Sequence, residues 1–249
     1  MIGRVGRDPY ARPVLDALRG GGVDIAHVDA MEGMTGTAAV MVEESGENQI
    51  VVASGANMSA SADQIPDSLL GPGTTLVLQM EIPVPEIEVA IHRARRAGCR
   101  IILNLAPALP IGEAALEACD VLVLNEGEAN TLAGTQDEPE AHAQALAKKF
   151  ALDCIVTLGG SGAVLATDDM MFRIGALEIE PVDTVGAGDA FVGVLAASLD
   201  GGAAITYALR QASVAGGLAC LQVGAQSGLP TLAEIESVTP RLASATLLV

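Results

Sequence analysis

Asp183 and Asp189 flank the segment Asp183-Thr184-Val185-Gly186-Ala187-Gly188-Asp189, and an apolar run, Ala190-Phe191-Val192-Gly193-Val194-Leu195-Ala196, follows at once. Small residues at 186–188 let backbone N–H groups approach a ligand closely. A helix beginning there adds the positive end of its dipole, so the segment can hold an anion without a basic side chain. Asp189, in the first turn, is placed to take a proton from an attacking hydroxyl. An anion hole beside a carboxylate base is what phosphoryl transfer asks of a protein: charge neutralised on the transferring group, and the nucleophile positioned. The same residues also describe a tight turn with an acidic residue favoured by a helix start. The short pattern Gly-x-Gly-Asp alone supports both readings equally.

Such residues need a frame to hold them. Apolar runs at 75–78, 101–103, 121–124 and 154–158 read as strands, and the stretches 84–97, 112–118, 126–133 and 138–150 between them read as helices. This alternation predicts an α/β fold: a doubly wound, mostly parallel sheet with helices on both faces. A hairpin is expected at 163–167 and 170–174, then helices at 187–199, 203–221 and near 231–237. Earlier, two β-rich runs within 37–53, separated by a polar turn, predict another hairpin. With no repeat or low-complexity linker, residues 1–249 are expected to form one domain. Each of the four central strands is followed by a polar or glycine residue: Gln79 and Glu81, then Asn104, Asn125 and Gly159-Gly160. Ligands of open α/β sheets bind outside the carboxyl ends of the strands. These residues are therefore expected to line one crevice, although each alone is also an ordinary turn former.

Composition narrows the possible partners. Half the residues are apolar but only 2% are aromatic, so the core must be built from Ala, Val, Leu and Ile. A net charge of −18, with Lys148 and Lys149 the only lysines, argues against a nucleic-acid partner. No apolar run approaches the roughly 20 residues of a membrane span, and no basic segment precedes an apolar one, so a cytoplasmic protein is expected. Cys99, Cys119, Cys154 and Cys220 form no C-x-x-C pair and are expected to be buried free thiols. His27, His92 and His142 share no metal-ligand spacing. His92 and His142, on helical stretches rich in charge, are expected at the surface.

The segment from Asp183 to Phe191 is similar to the signature of the PfkB, or ribokinase-like, carbohydrate kinases. Further segments resemble the ribokinase branch of that family: Gly46-Glu47-Asn48-Gln49-Ile50-Val51-Val52 with Gly55-Ala56-Asn57, Gln79-Met80-Glu81-Ile82-Pro83, and Ile102-Leu103-Asn104-Leu105-Ala106-Pro107-Ala108. Asn125-Glu126-Gly127-Glu128, Thr157-Leu158-Gly159-Gly160-Ser161-Gly162 and Gly224-Ala225-Gln226 match as well, in family order. The resemblance implies ATP-dependent phosphorylation of the primary 5-hydroxyl of D-ribose. Another sugar or nucleoside kinase of the family, or a nucleotide-binding remnant, is the alternative. By this resemblance Asp189 is the general base, touching sugar and ATP, and the N–H groups of Gly186, Ala187 and Gly188 form the anion hole. Glu81 would hydrogen-bond the sugar. Asn125 and residues Thr157, Leu158, Gly159, Gly160, Ser161 and Gly162, with Gly188, would contact ATP, and Ser213 falls at an adenine-side position. Glu128 would organise Mg2+ through water. Asp183 and the carbonyls of Val185, Ala219, Gln222 and Gly224 would hold a monovalent cation, K+; hard oxygen donors suit such ions. A homodimer through the 37–53 lid is also implied.

The sequence departs from the family in three places, the smallest being Leu105, where the family usually has a proline. Ahead of the segment that resembles residues 2–10, the family carries an N-x-D strand end and a GGKGAN motif that grip the sugar. Neither occurs in these 249 residues, which predicts weakened sugar binding, since a site built on hydrogen bonds loses discrimination when they are removed. A longer active kinase that starts upstream and a shortened chain with an intact nucleotide half both fit. The second departure is Gly228, where the family usually has a serine near the cation; Ser227 lies beside it.

Overall fold

The structure, a computed structural model, describes residues 1–42 and 48–248. β1 (Ile2–Gly6) and β2 (His27–Met31) pair in parallel, with α1 (Ala11–Gly20) as their crossover. Sequence patterning misses all three elements. Both strands are short and carry Gly or Asp, residues with low strand propensity, so they rest on mutual pairing rather than on an apolar run. β3 (Thr37–Val42) and β4 (Asn48–Ala53) form the expected antiparallel hairpin, Thr37 opposite Ala53. Its turn at 43–47 lies outside the described residues. Among those residues, neither two-stranded sheet joins the main one.

The main sheet grows by strand–helix alternation. β5 (Thr75–Leu78), α2 (Val84–Ala97), β6 (Arg100–Asn104), α3 (Glu113–Leu116), β7 (Val121–Asn125), α4 (Glu126–Ala133), α5 (Pro139–Phe150) and β8 (Asp153–Thr157) follow in order. Their four strands are parallel neighbours. β9 (Ala163–Ala166) and β10 (Met171–Ile174) then add as the expected antiparallel hairpin, and after α6 (Ala187–Asp200), α7 (Ile205–Ala219) and α8 (Leu232–Val238) the chain returns as β11 (Thr246–Leu247). The seven strands lie in the order β11-β10-β9-β8-β7-β6-β5. The sheet is thus mixed, parallel on the β5 side and antiparallel on the β11 side.

Period-two alternation of strand side chains builds a core on each face. Leu103, Leu122, Leu124, Cys154 and Val156 pack beneath α2 to α5, and Ile102, Val121, Val123, Ile155 and Leu165 beneath α6 to α8. Both faces are covered, so the strands read as unbroken apolar runs. Local signals place the helix ends. Pro85 sits in the first turn of α2, and Gly98, at φ 80, stops it in the left-handed conformation.

The four cysteines are buried free thiols, as expected. Burial pushes the thiols of Cys119 and Cys154 up to about 12, which leaves them unreactive. His92 is exposed, but the expectation for His142 is overturned: it is 3% exposed. The face of α5 that carries Ala143, Leu146, Ala147 and Phe150 into the core also carries His142. Its Nε2 has a polar partner in either tautomer, lying 2.8 Å from Asn130 Oδ1, to which a protonated Nε2 can donate, and 3.2 Å from the Asp137 N–H, from which an unprotonated one can accept. No helix among the described residues is long and apolar enough to cross a membrane.

Candidate active site

The carboxyl ends of β5 to β8 share one rim, and the segments expected to carry chemistry lie on it. Exposed Glu81 follows β5, on a loop joined to the next one where the Met80 N–H donates to the Ala106 carbonyl at 3.0 Å. Asn125 ends β7 and caps α4. Its Oδ1 accepts the Glu128 N–H at 2.9 Å, while Glu128 Oε2 accepts the Asn125 N–H at 2.7 Å. This reciprocal capping box satisfies two N–H groups at the helix start. Burial raises the Glu128 carboxyl above its ordinary value, and the Asn125 N–H opposes that shift. Glu128 Oε1 has no protein donor among the described residues.

α6 begins on glycine for a steric reason. Gly186, at φ 83, is its N-cap, and a Cβ there would lie 2.9 Å from both the Cα and the carbonyl oxygen of Ala225. Ala187 donates its N–H to the Thr184 carbonyl at 3.3 Å. The N–H groups of Gly186 and Gly188 have no acceptor among the described residues, so only part of the expected anion hole is free. A Cβ on Gly188 would meet nothing within 4 Å, which leaves room for a ligand at the helix start. Asp189 is the third helical residue. Partial desolvation raises its carboxyl above the ordinary aspartate value, despite its place at the positive end of the helix.

Asp183 ties this segment to the end of α7. Its Oδ1 accepts the Val185 N–H at 3.0 Å and its Oδ2 the Gly224 N–H at 2.9 Å. These two bonds hold the carboxyl below the ordinary value. The Cys220 carbonyl accepts the N–H groups of both Val182 and Asp183. Beyond α7, three backbone carbonyls converge on Gly228: an added Cβ there would lie 2.9 Å from the Ala219 oxygen, 3.0 Å from Gly224 and 3.4 Å from Gln222. The Gly224 oxygen accepts the Gly228 N–H at 3.0 Å, whereas those of Ala219 and Gln222 accept none among the described residues. Ala219 ends α7, so the negative end of that helix dipole points into the cradle.

A cavity of about 490 Å³ opens between α6, α7 and the loop after β8. It gathers Thr157, Gly159, Gly160 and Gly162 with Thr184, Ala187, Gly188 and Ser213. Leu158 is buried behind the loop, and Ser161, Asn125, Glu81 and Asp189 stand outside the lining. Sequence reasoning missed the apolar wall of Ala176, Leu177, Ile179 and Phe191. One signal pointed there: the Gly216-Gly217 pair inside α7, where each glycine costs about 1 kcal/mol against alanine. Leu177 explains the second, since a Cβ on Gly217 would sit 3.2 Å from it.

Comparison with known proteins bears on the family and the fold. Residues 1–232 match the model of the pfkB family carbohydrate kinases. The chain is 31% identical over 247 residues to the ribokinase of Schizosaccharomyces pombe, spanning 95% of this chain and 78% of that one. Among solved structures, ribokinase from Thermotoga maritima superposes with a TM-score of 0.86 at 27% identity, covering 95% of this chain and 79% of its own. Arabidopsis thaliana ribokinase, solved with ribose and ATP, gives a TM-score of 0.84 at 28% identity, with 96% and 80% covered.

Proposed function

The chain belongs to the pfkB family of carbohydrate kinases, and from that premise we propose that it transfers the γ-phosphoryl group of ATP to the primary 5-hydroxyl of D-ribose. One observation carries the proposal: a helix start built on glycine, with free Gly186 and Gly188 N–H groups and Asp189 one residue on, opens beside a cavity of about 490 Å³. Asp189 accepts the proton of the sugar hydroxyl as it attacks. The N–H groups at the start of α6 receive the charge that develops on the transferring phosphoryl group. The glycines of the 159–162 loop hold the other phosphates, and Glu81 hydrogen-bonds the sugar.

Mg2+ neutralises phosphate charge when bound. Glu128 fits the ion's preference for water-mediated carboxylates, because one of its oxygens is left over from the capping box. For K+, the donor set of the carbonyl cradle and Asp183 is all hard oxygen. An added Cβ at Gly228 would lie within 3.4 Å of all three carbonyl oxygens, and alanine would bring none of the hydroxyl oxygen that the family's usual serine supplies there. Gly228→Ala is therefore expected to remove the rise in Tm that K+ gives over Na+ in the wild-type protein. An equal K+ shift in both proteins would exclude the cradle as the cation site.

The substrate assignment is tested by comparing kcat/KM for D-ribose, 2-deoxyribose, fructose and a nucleoside at saturating ATP. D-ribose should be preferred. A clear preference for one of the others would reassign the acceptor while leaving the kinase chemistry in place. If a second copy docks on the 37–53 hairpin, the homodimer implied by the family follows; exposed Val51 and Val52 there are suited to it.

A further inference from the structure

We infer that the protein carries a second small-molecule site, apart from phosphoryl transfer, and that it takes a phenolic amine. Such a ligand has one aromatic ring, a hydroxyl at one end and a short cationic tail at the other. A cavity of about 330 Å³ lies between α3, the end of α4 and one side of α5. It shares no residue with the larger cavity. Leu116, Leu146 and Phe150 in its wall belong to the core beneath α2 to α5, so it opens on the other face of the sheet from α6 and α7. The site is thus independent of the kinase reading.

Size sets the scale of the occupant. Ligand cavities run from about 300 Å³ upward, and an apolar one of ~150 Å³ takes benzene. The volume here suits one ring with a chain of a few atoms. Leu116, Leu132, Leu146 and Phe150 give it an apolar wall, and Phe150 offers a ring for aromatic contact. One polar group lies among these side chains. His142, 3% exposed, lines the cavity, and the protein uses only its Nε2, at Asn130 and Asp137. Its Nδ1 makes no hydrogen bond among the described residues. Nor is it sealed off: among those residues the Ser213 Oγ is the only unpartnered side-chain nitrogen or oxygen that is. The surface Nδ1 keeps therefore faces the cavity.

A ring nitrogen so placed calls for a partner that enters with the ligand. A hydroxyl meets the need in either tautomer, because it both donates and accepts. Charges at the mouth decide the other end of the ligand. Glu113 and Lys149 cancel as an ion pair of 2.6 Å, and the Lys149 ammonium also lies 4.9 Å from the Phe150 ring centroid. The Asp137 carboxylate, exposed on the lining, has no partner among the described residues. The mouth is left negative, as is the whole chain at −18. A cationic tail is attracted there and an anionic one repelled.

Calorimetric titration of the intact chain with tyramine, phenethylamine and 4-hydroxyphenylacetate tests both ends of the ligand. Tyramine should bind saturably, and saturating Mg-ADP should not displace it. Phenethylamine, which lacks the hydroxyl, should bind about five- to tenfold more weakly. 4-Hydroxyphenylacetate, which reverses the charge of the tail, should also bind more weakly than tyramine. The hydroxyl is deleted from the ligand because His142→Ala would also release Asn130 and the Asp137 N–H. Ala145 is exposed on the lining, so Ala145→Leu should keep the wild-type Tm and lose tyramine binding. Absence of tyramine binding would overturn the inference, and so would its displacement by Mg-ADP. Equal affinity for the three probes, or wild-type tyramine affinity in Ala145→Leu, would do the same. Should Ala145→Leu fail to fold, the ranking of the probes and the Mg-ADP competition decide.

Discussion

Asp189→Ala is expected to lower sugar-dependent ATP turnover by about 10²- to 10⁴-fold, the usual contribution of a positioned general base. The residue could instead serve only the start of α6, so a second readout is needed. Desolvation raises the Asp189 carboxyl in the folded protein. A raised carboxyl means that the folded state holds the proton more tightly than the unfolded chain. The associated stability is present at low pH and is lost as pH rises through the folded value. Above that value the charged group is a burden on the fold, and Asp189→Asn should leave Tm unchanged or higher at neutral pH while removing turnover. The acid limb of kcat/KM in the wild type should lie above the ordinary aspartate range. Turnover of Asp189→Ala within about tenfold of wild type, ~1.4 kcal/mol of barrier, would remove Asp189 from the mechanism.

Gly186→Ala should produce the next largest loss. The residue sits at φ 83, and its missing Cβ would lie 2.9 Å from the Ala225 backbone. An alanine held in the left-handed region costs about 1–2 kcal/mol, and the contact with Ala225 adds to it. A fall in Tm of several degrees is expected, at about 2–4 °C per kcal/mol for a chain of this size. Shifting the helix start also displaces the N–H groups from the phosphoryl group, and loss of one such donor costs about 10²- to 10³-fold in kcat. Gly188→Ala makes the contrast. Its Cβ meets no protein atom within 4 Å, so the protein should fold normally and lose nucleotide affinity. If both variants lose Tm equally and keep activity, the α6 start is a structural turn.

The four parallel strands and their helices could be read from the sequence, because each strand is buried on both faces and each long helix carries its own punctuation. α2 carries Pro85 in its first turn and is stopped by Gly98, and α4 runs from the Asn125 cap to the Gly134 stop. β1, α1 and β2 could not, since Gly3, Gly6 and Asp29 break the apolar pattern, and the strands are held by pairing and by side chains distant in sequence, Thr35 and Gln64. His142 misled because a charged helix still has a buried face. The glycine-built start of α6, with an acidic residue in its first turn, was legible in Gly186 to Asp189. The Gly228 cradle is made of backbone carbonyls, which no side-chain pattern encodes; Ala219, Gln222 and Gly224 were named only through the family resemblance. The apolar wall of Ala176, Leu177 and Ile179 has no motif either; Leu177 acquires meaning only when Gly217 is packed against it.

The phosphoryl-transfer assignment is tested most directly by following ATP, Mg2+, K+ and D-ribose with the protein by phosphorus NMR. The γ-phosphate resonance should fall as ADP and a phosphomonoester coupled to the two C5 protons of ribose rise in equal amounts. The assignment is contradicted if ATP stabilises the protein but no phosphomonoester forms from ribose or any other pentose, or if the γ-phosphate appears only as free phosphate.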